Sequence, residues 1–353
     1  MAMSYRIVLS RRTHDKLEGY LSTLRRGGLP GGILHRHLST HDIQSMTTGR
    51  FLEILLNTKR PRIFAESEIR GDGSDWNPTE LSILGDISIA MPVHIFDNGL
   101  HRHPGIHHPS FDGHLVFTPG ALLRNDSNLP PADFDEVTRD HRLDADRFSV
   151  LYERRLAPVL RHINRQAEQS RRDAVVTIPG LGCGQFAGIF RGRLGSLLAD
   201  SLRRILEKHA HQLPHIRLVY FDPYDECDNS DHQLGDIVFR VRPLTKGNPR
   251  PQLCHPTAYE EESDDFSSCD LHSVVAWDHV SWPGNDFYSG ARATDDGVKA
   301  AATSAMTCMT GVAGEYDDAI HQYRPPPGYT CWRDVVIRNQ LSIKVAAPQI
   351  FDF

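Results

Sequence analysis

The chain has 353 residues, 39% hydrophobic and 24% charged, with 39 Lys and Arg against 45 Asp and Glu, a net charge of −6. This is the balance of a soluble globular protein, and the length allows one large domain or two ordinary ones. The lack of a basic stripe speaks against a nucleic-acid binder, and no run approaches 18 apolar residues, so no membrane span is expected.

Met1 to Leu24 lacks the apolar core of a Sec-type signal. Six widely spaced cysteines (Cys183, Cys227, Cys254, Cys269, Cys308, Cys331) contain no CxxC pair, so neither a zinc site nor a disulfide framework is signalled. Reduced thiols in a cytoplasmic compartment are the expectation, with a secretion route that reads other signals left open.

Residues 1–60 read as an N-terminal helical segment packed on the core, and residues 61–353 as an α/β domain. Leu17, Tyr20, Leu21 and Leu24 recur at helix spacing, Gly27 to Gly32 interrupts the pattern, and a second helix is expected from Ser39 to Asn57. A short apolar run, Leu81 to Val93, contains Gly85-Asp86-Ile87-Ser88. Leu115-Val116-Phe117 before Thr118-Pro119-Gly120 reads as a strand end. Four histidines at 101, 103, 107 and 108 invite a metal reading. Pro104 and Gly105 break any helical face there, and no carboxylate or Cys completes a ligand set, so a polar loop is expected.

Tyr152, Leu156, Val159, Leu160 and Ile163 mark an amphipathic helix over 148–168, with Pro158 a local irregularity. A β-branched strand, Ala174 to Ile178, follows, then a helix with Leu194, Leu197, Leu198, Leu202, Ile205 and Leu206 on one stripe. Further strands are expected at 216–221 and 237–241. Alternating strand and helix units indicate an α/β layered fold. An acidic stretch (Asp222, Asp225, Glu226, Asp228, Asp231) lacks EF-hand spacing and reads as a solvated loop, and polar residues 243–270 read as a surface excursion.

Two loops carry the chemistry. Pro179-Gly180-Leu181-Gly182-Cys183-Gly184-Gln185-Phe186-Ala187-Gly188 joins the 174–178 strand to the next helix. Its glycines free the backbone to turn sharply and expose N–H groups, an anion cradle at a helix start. It has neither the Lys-Ser/Thr of a P-loop nor the spacing of a dinucleotide fingerprint. The second loop follows a buried strand (Leu271, Val274, Val275, Ala276) and leads into a helix-like run, Gly297 to Met309. Asp278, Asp286, Asp295 and Asp296 place four carboxylates within nineteen residues. An acidic turn with Thr294 or Asp295 as a helix cap is the bland reading of that loop, and close packing that of the glycines.

The first loop resembles the diphosphate loop of macrodomains, which embraces ADP-ribose, with Cys183 where that family usually has Thr or Ser. The second resembles the other macrodomain loop, with Asp replacing much of its Gly, but it follows the diphosphate loop instead of preceding it. A circularly permuted or rebuilt macrodomain would account for that order. The closer similarity is to MavL-type macrodomains, which remove ADP-ribose from arginine. They share Trp277-Asp278-His279-Val280-Ser281-Trp282-Pro283-Gly284-Asn285-Asp286-Phe287-Tyr288 and Ala293-Thr294-Asp295-Asp296-Gly297-Val298-Lys299, and the resemblance extends over residues 80–345.

The resemblance implies a three-layer α/β/α fold on a mixed sheet. It also implies an arginine-specific ADP-ribosylhydrolase with catalytic Asp278, Asp286 and Asp296. Gly180, Gly182, Cys183, Gly184, Gln185, Phe186, Ala187, Gly188 and Asn285 would hold ADP-ribose, and Asp86 would meet its adenine. No metal or cofactor is implied; an ADP-ribosylated protein is the expected partner. Chemistry agrees: cleaving the ribose–guanidinium bond develops oxocarbenium character that carboxylates stabilise, and Asp pairs with the guanidinium fork. One of Asp286 and Asp296 would activate water or bind ribose hydroxyls, Asp278 would hold the guanidinium or orient a partner, and mutual repulsion would raise at least one pKa. Three rivals stand beside this: a Mg²⁺-dependent hydrolase, a reader that binds ADP-ribose without turnover, and an interaction protein whose loops serve only folding.

Overall fold

The computed structural model describes residues 4–127, 129–247 and 250–352. Its strands in chain order are β1 (Arg6–Ser10), β2 (Ser88–Asp97), β3 (Ile106–Pro119), β4 (Thr138–Arg139), β5 (Arg142–Leu143), β6 (Asp173–Pro179), β7 (Ile216–Asp222), β8 (Ser230–Leu234), β9 (Ile237–Val241), β10 (Cys269–Trp277), β11 (Glu315–Asp317), β12 (Gln322–Arg324) and β13 (Gln349–Phe351). Among the described residues, nine of them form one mixed sheet in the order β13-β1-β2-β3-β10-β6-β7-β9-β8. The run β3-β10-β6-β7-β9 is parallel throughout, while β1-β2, β2-β3 and β8-β9 are antiparallel.

Strand side chains alternate between two cores, as the pleat requires. Val175, Leu271 and Val275 face one core; Val176, Ile178 and Val274 face the other. The second core is roofed by helices Ala145–Ser170 and Leu194–His209. Asp144 caps the longer one by accepting from the Asp146 and Arg147 amides, and its stripe Phe148, Leu151, Leu156, Val159 and Ile163 is fully buried. The opposite face carries helices Arg11–Arg25, Thr48–Leu56, Pro78–Leu84, Asp295–Ala301 and Ala305–Thr310. The result is the three-layer α/β/α arrangement expected. No helix among the described residues is long and apolar enough to cross a membrane.

Several local expectations differ from the structure. Residues 1–60 are not purely helical, because β1 inserts between β2 and β13. The expected 39–57 helix forms only over Thr48–Leu56, where Thr47 caps it by accepting from the Arg50 amide; a separate, unexpected helix, Gly32–Leu38, precedes it and ends at Ser39. The 81–93 run splits into the end of a capped helix and the start of β2. The 243–270 stretch is no mere surface excursion. Leu253, Tyr259 and Phe266 are buried in it, and Glu261 and Asp264 pair with Arg242 and Arg240.

Candidate functional site

The two chemistry-bearing loops lie far apart in the chain but leave the carboxyl ends of neighbouring parallel strands, β6 and β10. That strand end is where open α/β sheets place ligands. A cleft of about 490 Å³ opens across the ends of β6, β7 and β10, where Pro179, Asp222 and Trp277 line it, within the rough 300–1,000 Å³ range of small-molecule sites.

On one wall lies the glycine loop. Gly182 has φ +77°, and a Cβ there would sit 2.8 Å from the Ala121 amide nitrogen and 3.0 Å from the Tyr152 hydroxyl. Tyr152 fixes both strand-end turns, donating to the Leu181 carbonyl (2.5 Å) and accepting from the Ala121 amide (3.0 Å). Gly184 faces open space and precedes the 3₁₀ turn Gln185–Phe190, whose first N–H groups have no carbonyl within the turn to bind. Gly180, Gly182, Cys183, Gly184, Gln185 and Phe186 line the cleft with Arg191. Ala187 is buried behind the loop, and Gly188 (φ +54°) packs against Leu123 and Arg124. Burial pushes the Cys183 thiol well up, so it is no thiolate nucleophile. Arg124 donates to the Gln185 amide oxygen at 2.9 Å.

The aspartate loop forms the other wall, and its carboxylates have different tasks. Asp278 lines the cleft, yet its Oδ1 accepts from the Val280 and Ser281 amides (both 2.6 Å) and its Oδ2 from the Ser281 hydroxyl and Asn285 Nδ2 (3.3 Å). Asn285 also lines the cleft, and its Oδ1 accepts from the Ile63 amide. Asp286 is not among the lining residues. Its carboxylate accepts from the Ala293 amide (2.8 Å), the Thr294 amide (3.2 Å) and the Thr294 hydroxyl, and a Cβ on Gly297 would collide with it. Asp295 accepts from the Ala276 amide (2.7 Å) and pairs with Lys299 (3.0 Å).

Asp296 differs from all of these. It lines the cleft, is 3% exposed, and its Oδ2 has no hydrogen-bond partner. Burial holds its carboxyl well above the ordinary range, and the charges of Asp278 and Asp286 add to the effect. Hydrogen-bond chemistry agrees. The Thr294 hydroxyl meets both Asp286 Oδ1 and Asp296 Oδ1, the latter at 2.6 Å, but has one proton to give. A protonated carboxyl supplies the second hydrogen, and the burial of Asp296 favours its protonated form.

Asp86, expected at the adenine, lies elsewhere. Its carboxylate is buried between Lys16 (2.7 Å), Arg154 (2.7 Å) and Arg155 (3.2 Å), and it does not line the cleft. The 222–231 acidic stretch is only partly a solvated loop: Asp225 and Asp228 are exposed, Asp231 lies exposed on β8, but Asp222 and Glu226 are built into the fold. Asp222 ends β7, is 5% exposed and accepts from the Tyr224 and Leu244 amides; Glu226 accepts from the Gly192 and Gly195 amides. Both line the cleft. A signal for Asp222 existed, since it directly follows an apolar strand. Glu66, on the short helix Ala65–Glu68, also lines the cleft and had no such signal. Of the histidine stretch, His101 reaches the cleft and His107 bonds the Leu253 carbonyl. Among the described residues, ligand-type side chains whose atoms gather within 4.8 Å are His14, Asp15 and Glu18, none of which lines the cleft.

No curated protein matches the chain. The family model described as macrodomain effector MavL matches residues 5–329, and the chain belongs to that family.

Proposed function

We propose that this macrodomain hydrolyses the bond between ADP-ribose and the arginine side chain of a modified protein. The observation that carries the reading is Asp296, a buried acid with one free oxygen in a cleft whose far wall offers backbone amides and Arg191. Anionic diphosphate suits the glycine loop. That places the ribose toward Asn285, Asp278 and Asp296.

The chemistry balances without a further reactant. The C–N bond breaks with its electron pair going to nitrogen, leaving a ribosyl oxocarbenium and a neutral guanidine. Asp278 and the Asp286 charge behind it stabilise the cation electrostatically. Water adds to the anomeric carbon, and its proton passes through Asp296 to the guanidine, which leaves as guanidinium. Asp286 acts by position: it holds the 293–294 backbone that carries Asp296.

The test is release of free ADP-ribose from an arginine-ADP-ribosylated protein, beside serine- and glutamate-linked substrates, with and without EDTA. Arginine-selective release that survives EDTA is the expected result. Loss of release in EDTA would instead favour the Mg²⁺-dependent hydrolase. Calorimetric binding of ADP-ribose without release from any substrate would leave a reader and refute the catalytic assignment.

A further inference from the structure

We propose that Glu66 is the residue that selects arginine, its carboxylate receiving the substrate guanidinium inside the cleft. The inference rests on the hydrolase reading above and goes beyond the two loops that suggested it. A guanidinium needs a carboxylate with both oxygens free to match its planar fork. Among the cleft's carboxyls, Asp278 has both oxygens committed to its own loop, and Asp295 is held by Lys299 and the Ala276 amide. Asp222 and Glu226 serve backbone amides on the β7 side, and Asp225 is exposed beside them. Asp296 has one oxygen engaged by Thr294 and Gly297. Glu66 remains. It is half-buried and lines the cleft, and among the described residues its one hydrogen bond is with its own backbone N–H.

Its placement suits the task. Glu66 and Asp278 line the same cleft, near enough for Glu66 to feel the Asp278 charge, so a cation held by Glu66 would lie toward the proposed ribose end. The segment carrying it is stitched to the aspartate loop: the Arg60 amide donates to the Val280 carbonyl (2.8 Å), the Trp282 amide to the Arg60 carbonyl (2.7 Å), and the Ile63 amide to Asn285. Phe64 of the same segment lines the cleft, and the Phe64 amide donates to Glu68. Burial raises the Glu66 pKa and Asp278 adds to it, against the opposing charge of Arg124, which forms no ion pair with it. A serine or glutamate linkage has no cation to offer and gains nothing from this group.

Steady-state hydrolysis of arginine-ADP-ribosylated protein by wild type, Glu66→Gln and Glu66→Asp tests the assignment, with ADP-ribose affinity measured by calorimetry. Removing a charged hydrogen-bond partner should raise KM in Glu66→Gln on the order of tenfold or more. ADP-ribose affinity should stay unchanged, and Glu66→Asp should recover part of the loss. An unchanged KM in Glu66→Gln, with wild type active, overturns the Glu66 assignment alone. A parallel loss of ADP-ribose affinity also overturns it, by showing a structural role. A wild type that releases nothing from the arginine-linked substrate removes the hydrolase reading, and this inference with it.

Discussion

Replacing Asp296 by Asn is the sharpest perturbation of the site, because it removes a titrating proton and almost no volume. The Asn oxygen can keep the contact Oδ1 makes with the Gly297 amide (2.9 Å), while the proton that Asp296 shares with Thr294 across 2.6 Å is lost and the Thr294 hydroxyl stays on Asp286. The amide nitrogen takes the place of Oδ2, which has no protein partner. The ground-state loop should therefore survive, and the loss should be that of proton transfer, about 10²–10⁴ in rate, or about 3–5 kcal/mol of barrier. The same variant carries a thermodynamic signature. The folded pKa of Asp296 is raised above its ordinary 3.8, so above that pH the unfolded chain gives up a proton the folded chain keeps. Wild-type stability then falls as pH rises toward the folded pKa, and Asp296→Asn lacks that slope. Single-turnover release of ADP-ribose, with thermal unfolding between about pH 4 and 8, reads both effects. Release within threefold of wild type would refute the proton-transfer role. A stability advantage of the variant that fails to grow with pH would show that the carboxyl is ionised in the fold.

Gly297→Ala drives a methyl into the Asp286 carboxylate and should cost about 1–3 kcal/mol of overpacking while displacing Asp296; lower Tm together with lost hydrolysis is the expected pair of results. Asp86→Asn leaves Lys16, Arg154 and Arg155 without their shared carboxylate, so it should cost about 3–5 kcal/mol in urea unfolding with little change in the affinity of the remaining folded protein for ADP-ribose. Adenine contact through Asp86 would instead show as weakened binding. Burial pushes the His162 imidazole from 6.5 down to about 4, with its Nδ1 against Gln349 and the charges of His114, Arg165 and Arg6 nearby. Below the unfolded value the unfolded chain binds the proton first, so roughly 3 kcal/mol should be lost as pH falls through this window, and His162→Leu should flatten that part of an acid-unfolding curve.

Legibility of the chain followed the range of the interactions. The 145–170 helix, β6, β7, β9 and β10 have their own periodicity or β-branched runs, so local sequence announces them. β1 has no such support: it exists because Val8 pairs with Ser88 on one side and Gln349 on the other, partners far along the chain. The helix-like run 297–309 breaks at Thr303 because that residue bridges to Ile95. The two loops stood out by composition alone, but composition treats carboxylates as equals. Hydrogen bonding separates them, with Asp278 and Asp286 building the loop and Asp296 keeping one oxygen free. Glu66 was invisible because its only claim is spatial.

From the surface to the start of the aspartate loop runs a chain of charged and polar side chains, most of them buried, that no local pattern reveals. Lys16 meets Asp86, Asp86 meets Arg154 and Arg155, Arg155 reaches Asp133 at 2.7 Å, and Asp133 accepts from His279 at 3.1 Å, one residue beyond Asp278. Arg155 also donates to the Gly120 carbonyl (2.9 Å), next to the turn that Gly182 packs against. Buried pairs of this kind rarely add stability over an apolar core. Position is what they provide here. Helix Arg11–Arg25 lies on one face of the sheet, helix Ala145–Ser170 on the other, and the network joins both to the start of the aspartate loop. On the far side of that loop, Lys59 donates to the His279 carbonyl at 2.6 Å and lies 4.0 Å from the Trp277 ring centroid. The backbone at 277–279 is thus gripped from both sides. Under the proposed hydrolysis, a carboxyl displaced by about 1 Å can lose on the order of 10²-fold in rate, so charges that cost folding energy but fix this backbone would keep Asp278 in register.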